Sequence, residues 1–360
     1  MIYIGAEEII SPLGDTITEN FSAMAENRSG ISLVPNAGFN KVSVNLSKIS
    51  GLSVENQFEN LIVSILISIS QKIDENIISS EKTILIISST KGELKENMTD
   101  PFGPSISSLI VRFHLANQPV VISNACVSGV LAINAARNFI AAGLYDHAIV
   151  IGCDLVSDFV VYGFQSLFAM SDEPCTPFDA NRKGISLGEG CGAVVISNTI
   201  SIFKDTPLKL LQGTSANDAN HISGPSRTGE GLFRTVKKTM EINQISDHEI
   251  DFISAHGTGT LYNDEMESIA FDRLNLSKVP LNSFKGYFGH TLGAAGVIET
   301  AASMQMMREE ILIKSLGFQE TGTSKELNLV TENKKAKLHT ILKTASGFGG
   351  GNASLVIQKL

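Results

Sequence analysis

The chain has 360 residues, 43% of them hydrophobic and 18% charged, which is enough for a large core or for two structural units. Its net charge of −9 and pI near 5.3 argue against nucleic acid as a partner, because phosphate backbones select basic proteins. Four widely spaced cysteines without a CxxC pair argue against a disulfide framework and a structural metal site, and they fit a reduced, cytoplasmic protein.

The sequence also argues against secretion and against a membrane span. The N-terminal MIYIGAEEII carries acids instead of a basic region, so we expect no secretory signal. The most apolar stretch, FENLIVSILISISQKI, is interrupted by serines and is too short to cross a bilayer. We therefore expect a soluble protein without a membrane partner.

Helical and strand-like patterns alternate along the chain. In order, they predict a helix at 56–77, strands at 82–89 and 118–123, a helix at 127–142, strands at 147–152 and 191–197, a helix at 230–243, a strand at 250–255, a helix at 263–274, a strand at 279–284 and a helix at 293–308. The strands are short, rich in β-branched residues and apolar throughout. This pattern predicts an α/β protein with buried sheets.

Two βα units resemble each other. Pro119 opens a strand that leads to a small turn with Cys126 and an Ala-rich helix. Pro280 opens a strand that leads to a Gly-rich turn with His290 and the segment LGAAGVIETAASM. The repetition suggests duplicated halves that face each other, with residues 1–200 in the first and 201–360 in the second.

Cys126 lies in the stretch VVISNACVSGVLAINAARN, where a strand is expected to end and a helix to begin. The macrodipole and free N–H groups of a helix N-terminus favour a thiolate, and the small neighbours leave room for a substrate. The alternative is a buried structural cysteine, which is the usual role of a free thiol. We assign that alternative to Cys153, Cys175 and Cys191.

His256 lies in ISAHGTGTLYNDEMES, where a strand is expected to end in a glycine turn. The turn presents Thr258 and Thr260, and Asp264 and Glu267 open the next helix, where acids are favourable. A histidine at the carboxyl end of a strand is in the usual place for an α/β binding site. The alternative is a histidine of a surface loop.

Two further glycine-rich stretches follow. NSFKGYFGHTLGAAGVIE places Lys285 five residues before His290. The alternative for this stretch is a tightly packed helix of small residues without a catalytic role. SGFGGGNASLVI offers N–H groups for an anion-binding nest, and a plain glycine hairpin is an equal alternative. Together, one thiol and two imidazoles on strand-end turns predict nucleophilic acyl chemistry, and the second histidine and the lysine suit the stabilisation of an enolate.

These stretches, in this order, resemble the β-ketoacyl-acyl carrier protein synthases of the thiolase superfamily, and among them the elongating Cys-His-His type. IISPLGDTITENFSAMAENRSGI and CTPFDANRKGISLGEGCGAVVI are similar to further segments of that family, so the resemblance covers nearly the whole chain. It implies a thiolase-like five-layered αβαβα sandwich of two duplicated halves. It also implies a dimer, either a homodimer or a heterodimer with another synthase.

The resemblance implies a role for each matching residue. Cys126 would accept the acyl group, while His256 and His290 would bind the malonyl thioester carbonyl and promote loss of CO₂. Lys285 would hold His290. Phe348 would be the gating phenylalanine, whose N–H joins that of Cys126 in an oxyanion hole.

Four other residues complete the site that the resemblance implies. Thr258 and Thr260 match threonines that touch the pantetheine arm, Glu299 matches the acid that pairs with the lysine, and Asp264 is a supporting residue. The implied reaction is a decarboxylating Claisen condensation of acyl-Cys126 with malonyl-acyl carrier protein, in fatty-acid or polyketide/polyene biosynthesis. It needs no metal and no organic cofactor, and acyl carrier protein is the expected partner.

Some positions depart from the family's pattern. The stretch before Cys126 is short, Val127 replaces a smaller neighbour, Thr176 stands where a basic residue is frequent, and Gly351 stands where threonine is common. Chain length, carrier affinity and dimer partner therefore stay open. So do two other functions, a non-catalytic chain-length partner of another synthase and a CoA-dependent thiolase or acyltransferase. The presence of Cys126 argues against the first, and the lack of a second catalytic cysteine near the C-terminus argues against the second.

One basic face is a candidate docking surface for an acidic partner. Arg234, Lys237 and Lys238 in LFRTVKKTM share a helix face at i, i+3 and i+4. The alternative is an ordinary solvated face.

Overall fold

The computed structural model describes residues 1–52, 55–95, 99–218 and 224–360. The helices of this part are α1 Ile17–Ala25, α2 Gln57–Ser70, α3 Gly103–Phe113, α4 Ser128–Ala141, α5 Asp158–Ser166, α6 Glu230–Asn243, α7 Leu261–Arg273, α8 Lys285–Phe288 and α9 Ala295–Glu309. The strands are β1 Tyr3–Ile10, β2 Ile31–Val34, β3 Val44–Ser47, β4 Thr83–Ser88, β5 Val120–Ile122, β6 His147–Asp154, β7 Leu187–Gly188, β8 Gly190–Ser197, β9 Leu208–Leu210, β10 Thr214–Asn217, β11 Phe252–Ser254, β12 Leu281–Asn282, β13 Ile311–Leu312, β14 Lys334–Lys335, β15 Thr340–Gly347 and β16 Gly351–Gln358.

All the predicted helices and strands are present, although several are shorter than expected. The helix predicted at 56–77 ends at Ser70, because the chain turns there and Ile73 pairs with Phe203 instead of extending the helix. Ile73 and Ile77 are nevertheless buried. Residues of a turn can be buried at the same spacing as residues of a helix, so the apolar period alone does not distinguish the two.

The sheet consists of two copies of one topology. Its strands follow the order β12-β11-β15-β16-β9-β1-β8-β6-β4-β5. From one end the order is β5-β4-β6-β8-β1, and from the other it is β12-β11-β15-β16-β9. In both segments the third of these strands along the chain lies at the end of the sheet, followed by the second, the fourth, the fifth and the first. The first two pairs of each are parallel and the last two antiparallel. This repetition agrees with the duplicated halves predicted from the two βα units, whereas the division of the chain at 200/201 stays a prediction.

Helices α4 and α9 lie between the two halves of the sheet. Helix α4 contacts β6 and β16, and α9 contacts β8 and β15, so each helix packs on strands of both halves. On the outer faces, α2 packs on β1 and β8, and α6 packs on β16 and β10. Nearly all of α9 is buried, which is typical of a helix enclosed on every side. The order of layers is therefore helix, sheet, helix, sheet, helix.

Two glycines allow the central helices to touch. A Cβ on Gly129 of α4 would lie 2.7 Å from Val297 N, and one on Gly296 of α9 would lie 2.5 Å from Val130 N. Neither distance is available to a larger residue, so the small-residue composition of both segments has a packing reason. The close approach brings the start of α4, with Cys126, towards the turn before α9, with His290.

Within the described residues, none of the helices combines the length and the apolar character that crossing a bilayer would require.

Candidate active site

Cys126 is presented by a strained turn just before α4. Ala125 has a φ of 43°, in the left-handed region that alanine rarely occupies. Ser128 Oγ closes the turn, since it accepts the N–H of Asn124 at 2.7 Å and donates to the carbonyl of Ala125 at 2.6 Å. The turn directs the thiol into a cavity of about 380 Å³ that His256, His290 and Phe348 also line. A strained residue held in this way is typical of functional sites.

The thiol of Cys126 is protonated in the free protein. Burial raises its pKa to about 12, although Lys285 and the N–H of Phe348 act in the opposite direction. Desolvation of the sulfur therefore acts against the resting thiolate that was expected from the helix N-terminus. The sulfur lies 3.0 Å from His290 Nε2, which is its polar neighbour in the pocket.

Both imidazoles carry their proton on the nitrogen that faces the pocket. Leu292 N–H donates to His290 Nδ1 at 3.3 Å, and the Lys285 ammonium, which can only donate, lies 3.3 Å from His256 Nδ1. With Nδ1 accepting in each ring, the proton of the neutral form stays on Nε2. Burial, followed by the charge of Lys285, holds the pKa of both rings well below the ordinary value, so both are neutral at pH 7.

The site therefore joins one thiol and two N–H donors. The ring centroids of His256 and His290 are 5.3 Å apart, with an interplanar angle of 81°. The Cys126 sulfur and one nitrogen of each ring all lie within 4.8 Å of one another. Because these atoms come from the turn before α4, the turn after β11 and the turn before α9, the structure unites the three residues that the sequence singled out separately.

Lys285 is directed at His256 and not at His290, which corrects the role that the resemblance implied. Its ammonium donates to the main-chain carbonyl of His256 at 2.5 Å and to Glu299 Oε1 at 2.7 Å. The pairing of Glu299 with the lysine is as expected. Sequence reasoning missed Lys343, whose Nζ lies 2.7 Å from Glu299 Oε2. The available signal was a single lysine in the otherwise uncharged strand TILKTASG.

Two buried acids hold the glycine turn that presents His256. The carboxylate of Glu267 accepts the N–H groups of His256 at 2.8 Å and Gly257 at 2.6 Å. Asp264 accepts the N–H of Thr258 at 2.9 Å, so it supports the turn from the start of α7. Burial raises the pKa of both acids, that of Glu267 to about 7. Glu267, expected only to favour the helix N-terminus, fixes the orientation of this loop.

The predicted threonines and Phe348 line the cavity. Thr258 and Thr260 both line it, with their hydroxyls 2.9 Å apart. The ring of Phe348 stacks on Phe164, with 5.4 Å between centroids and an interplanar angle of 23°. No sequence pattern singled out Phe164. Both rings line the cavity, and the gating role of Phe348 stays a prediction.

The backbone beside the sulfur is suited to bind an oxyanion. A Cβ on Gly347 would lie 3.2 Å from Cys126 N, so the turn between β15 and β16 approaches the nucleophile closely. The N–H of Phe348 reaches the Cys126 sulfur. N–H groups close to a nucleophile are the donors that can stabilise the tetrahedral intermediates of acyl transfer.

Comparison with known proteins agrees with this geometry. Residues 94–199 match the model of the β-ketoacyl synthase N-terminal domain, and residues 210–319 match that of the β-ketoacyl synthase C-terminal domain. The chain belongs to the β-ketoacyl synthase family. The two matches contain Cys126, His256 and His290.

Individual curated relatives support this membership. A putative mitochondrial 3-oxoacyl-[acyl-carrier-protein] synthase of Schizosaccharomyces pombe is 31% identical over 66% of this chain and 60% of its own length. A polyketide biosynthesis malonyl-ACP decarboxylase of Bacillus subtilis is 30% identical over 69% of this chain and 62% of its own length. The matched region thus spans about three fifths of these curated relatives.

The structure comparison confirms the predicted thiolase-like fold. A ketosynthase in complex with its chain length factor, from Xenorhabdus doucetiae, superposes with a TM-score of 0.89 at 25% identity. The match covers 100% of this chain and 98% of that one.

In this member of the β-ketoacyl synthase family, the basic face predicted on α6 is exposed. Arg234, Lys237 and Lys238 all point to solvent, and the two lysines each lie 4.0 Å from the carboxylate of Glu241. Exposed pairs at this distance contribute little to stability, so the basic side chains stay available to a partner. Docking at this face remains a prediction.

The thiol and imidazoles of this β-ketoacyl synthase family member also have the spacing of a metal site. Cysteine sulfur and histidine nitrogen are the ligands that Zn²⁺ prefers. The resemblance implies that these three groups act without a metal, so the absence of a metal and of an organic cofactor stays a prediction.

Proposed function

We propose that this chain catalyses a decarboxylating Claisen condensation. An acyl group held as a thioester on Cys126 would combine with malonyl-acyl carrier protein to give 3-oxoacyl-acyl carrier protein and CO₂. The observation that supports it is that the Cys126 sulfur and one nitrogen each of His256 and His290 lie within 4.8 Å of one another. Two histidines beside the thiol favour the elongating type.

In the first step the acyl group moves to Cys126. The sulfur attacks the carrier thioester, the N–H groups of Cys126 and Phe348 bind the oxyanion, and the carrier thiol departs with the proton of the Cys126 thiol. Because burial holds that thiol protonated, attack needs stabilisation of the forming thiolate. The Nε2–H of His290, 3.0 Å from the sulfur, supplies it.

In the second step malonyl-carrier loses CO₂. The Nε2–H groups of His256 and His290 donate to the thioester carbonyl, which becomes the enolate oxygen as the electron pair of the broken C–C bond moves into the thioester. Both donors are buried and oriented before the reaction, so they stabilise the negative charge without reorganisation of water. The enolate carbon then attacks acyl-Cys126, and the Cys126 thiolate leaves.

We propose acyl carrier protein as the partner that delivers both substrates, in fatty-acid or polyketide/polyene biosynthesis in the cytoplasm. We also propose that the chain works as a dimer, with a second copy or with another synthase. Strand β5 supports this, since it ends the strand order and its residues are only partly buried. Residues 1–200 would supply the nucleophile, and residues 201–360 the two imidazoles and the lysine.

The decisive experiment separates decarboxylation from condensation. Cys126→Gln places a carboxamide where acyl-Cys126 would be, so we expect it to release CO₂ from malonyl-acyl carrier protein without any 3-oxoacyl product. The measurement is CO₂ release followed with radiolabelled malonyl-carrier. Cys126→Gln combined with His256→Ala is the matched control and should lose this release.

A second function has one observation in its favour. The Bacillus subtilis relative is named a malonyl-ACP decarboxylase. The presence of Cys126 favours condensation instead, because a pure decarboxylase needs no acyl acceptor. If the unmodified chain released CO₂ but gave no 3-oxoacyl product from any acyl-carrier, the decarboxylase function would replace the one proposed above.

Charge reversal on α6 tests the carrier-docking face. Arg234→Glu, Lys237→Glu and Lys238→Glu together should raise the KM for the carrier by about tenfold, because charges at the rim of an interface steer encounter. The kcat should stay the same. The KM for malonyl-carrier would be measured by steady-state kinetics with acyl-carrier at saturation. The control is the pair Lys334→Glu and Lys335→Glu on β14. An unchanged KM in the α6 variant would exclude this face.

A further inference from the structure

Lys343 is a buried lysine that the mechanism above does not use. It lies on β15, fully buried, and its ammonium donates to the carbonyl of Thr344 at 2.8 Å. It also donates to the carbonyls of Ser254 and Ala255, at 3.2 and 3.4 Å, and is ion-paired with Glu299 at 2.7 Å. An ammonium removed from water is costly unless it is fully paired, so a lysine held in this way calls for a functional explanation.

The contacts of Lys343 lead to His256 through the backbone. Strand β15 pairs in parallel with β11, and Lys343 is in register with Ser254. Ala255, whose carbonyl accepts from Lys343, directly precedes His256. Lys343 therefore stabilises the carboxyl end of β11, directly before His256.

A second route runs through Glu299. One oxygen of this carboxylate accepts from Lys285 at 2.7 Å, and the other lies 2.7 Å from Lys343 Nζ. Lys285 in turn lies 3.3 Å from His256 Nδ1. Without Lys343, Glu299 would lose the ion pair on one side, and Lys285 would be held less firmly against the ring.

The charges of this cluster do not cancel. Two ammonium groups share the carboxylate of Glu299, and Glu267, the other acid that faces them, has its pKa raised by burial to about 7. The excess positive charge opposes protonation of both rings. Burial and then Lys285 are the largest causes of the low pKa of both rings. Lys343 also lowers the pKa, after them in His290 and after them and His290 in His256.

We propose that Lys343 is a positioning residue of this site, which with Glu299 fixes Lys285 against His256 Nδ1 and keeps both imidazoles neutral with Nε2–H directed at the enolate oxygen. This inference rests on the proposed condensation for its kinetic consequences, but its structural content is independent of them. The expected signature is a defect in decarboxylation, since acyl transfer to Cys126 does not depend on His256.

The first test needs no activity. In ¹⁵N-labelled protein, the imidazole nitrogen shifts should show His256 and His290 neutral at pH 7 with the proton on Nε2, the two rings being assigned with His256→Gln and His290→Gln. In Lys343→Met the pKa of both rings should rise towards the ordinary histidine range. A charged ring or an Nδ1–H ring in the unmodified chain, or unchanged titration in a folded Lys343→Met, would overturn the proposal.

The second test is kinetic. In the Cys126→Gln background, Lys343→Met should lower CO₂ release about tenfold, because Lys285 is held less firmly against His256. It should also move the limb of the pH profile that follows the imidazoles to higher pH, because the pKa of both rings rises. With Cys126 intact, acylation should change less than twofold. Lys343→Gln retains donors for the carbonyls without the charge, and it should show the same shift of the pH profile.

Lys72→Met is the control, because it removes the partner of the buried Glu8, 2.8 Å away, outside the site. It should cost stability without moving the pH profile. If the unmodified chain showed no condensation while the ¹⁵N result held, the proposed function would fail and this inference would stand. If condensation held and folded Lys343 variants had normal CO₂ release and pH profile, the inference alone would fail.

Discussion

Cys126→Ala is expected to abolish acyl transfer and to lower condensation by about 10⁴-fold or more, since no other group can carry the acyl intermediate. Among the four cysteines, Cys126 is the one that lines the cavity. Cys153 and Cys191 lie opposite each other on β6 and β8 in the core, and Cys175 donates to the main-chain carbonyl of Lys285 at 3.2 Å. None of these three thiols lines the cavity, so none can replace Cys126.

Intact-mass spectrometry after incubation with acyl-carrier would measure this result directly. The unmodified chain should gain one acyl group, and Cys126→Ala should gain none. Cys153→Ala, which also removes a buried thiol, is the matched control and should still be acylated once. Labelling of the Cys126→Ala protein at any other residue would contradict the assignment of the nucleophile.

His290→Ala and His256→Ala are expected to fail at different steps. Loss of either ring removes one of the two enolate donors, so each should lower CO₂ release by about 10²–10³-fold. His290 Nε2 also lies 3.0 Å from the Cys126 sulfur, whereas His256 Nδ1 is turned to Lys285. Only His290→Ala should therefore slow the acylation of Cys126 as well.

Two separate measurements distinguish these steps. Single-turnover acylation followed by mass spectrometry isolates the first, and CO₂ release from malonyl-carrier in the Cys126→Gln background isolates the second. His248→Ala, which removes an exposed histidine, should change neither. Equal slowing of acylation by His256→Ala and His290→Ala would show that the two rings do not divide their roles in this way.

The residues that react could be selected from the sequence because each is marked by its own neighbours. Cys126 stands between an apolar strand and an Ala-rich helix, and His256 and His290 each follow a strand within a glycine turn. These patterns involve only residues adjacent in the chain, so they can be recognised without knowledge of the fold. The repeated βα units predicted the duplication for the same reason, since each half carries its own copy of the pattern.

The interactions between these residues could not be selected in the same way. The partner of Lys285 was predicted as His290, five residues away, but the folded chain places its ammonium against His256, 29 residues away. Lys343 has no motif around it, and its place beneath Glu299 follows from the pairing of β15 with β11. Phe164 likewise meets Phe348 only through the tertiary packing.

The sequence by itself determined which side chains react and on which kind of turn each one lies, because turn geometry depends on residues adjacent in the chain. Tertiary structure alone decided their charge and their partners. A helix N-terminus predicted a thiolate at Cys126, yet burial raises the pKa of the thiol to about 12 and so favours its protonated form. Desolvation and long-range charge depend on what the rest of the chain places around an atom. Here that surrounding includes residues far apart in the chain, such as Cys126 and His290, which are separated by 164 positions.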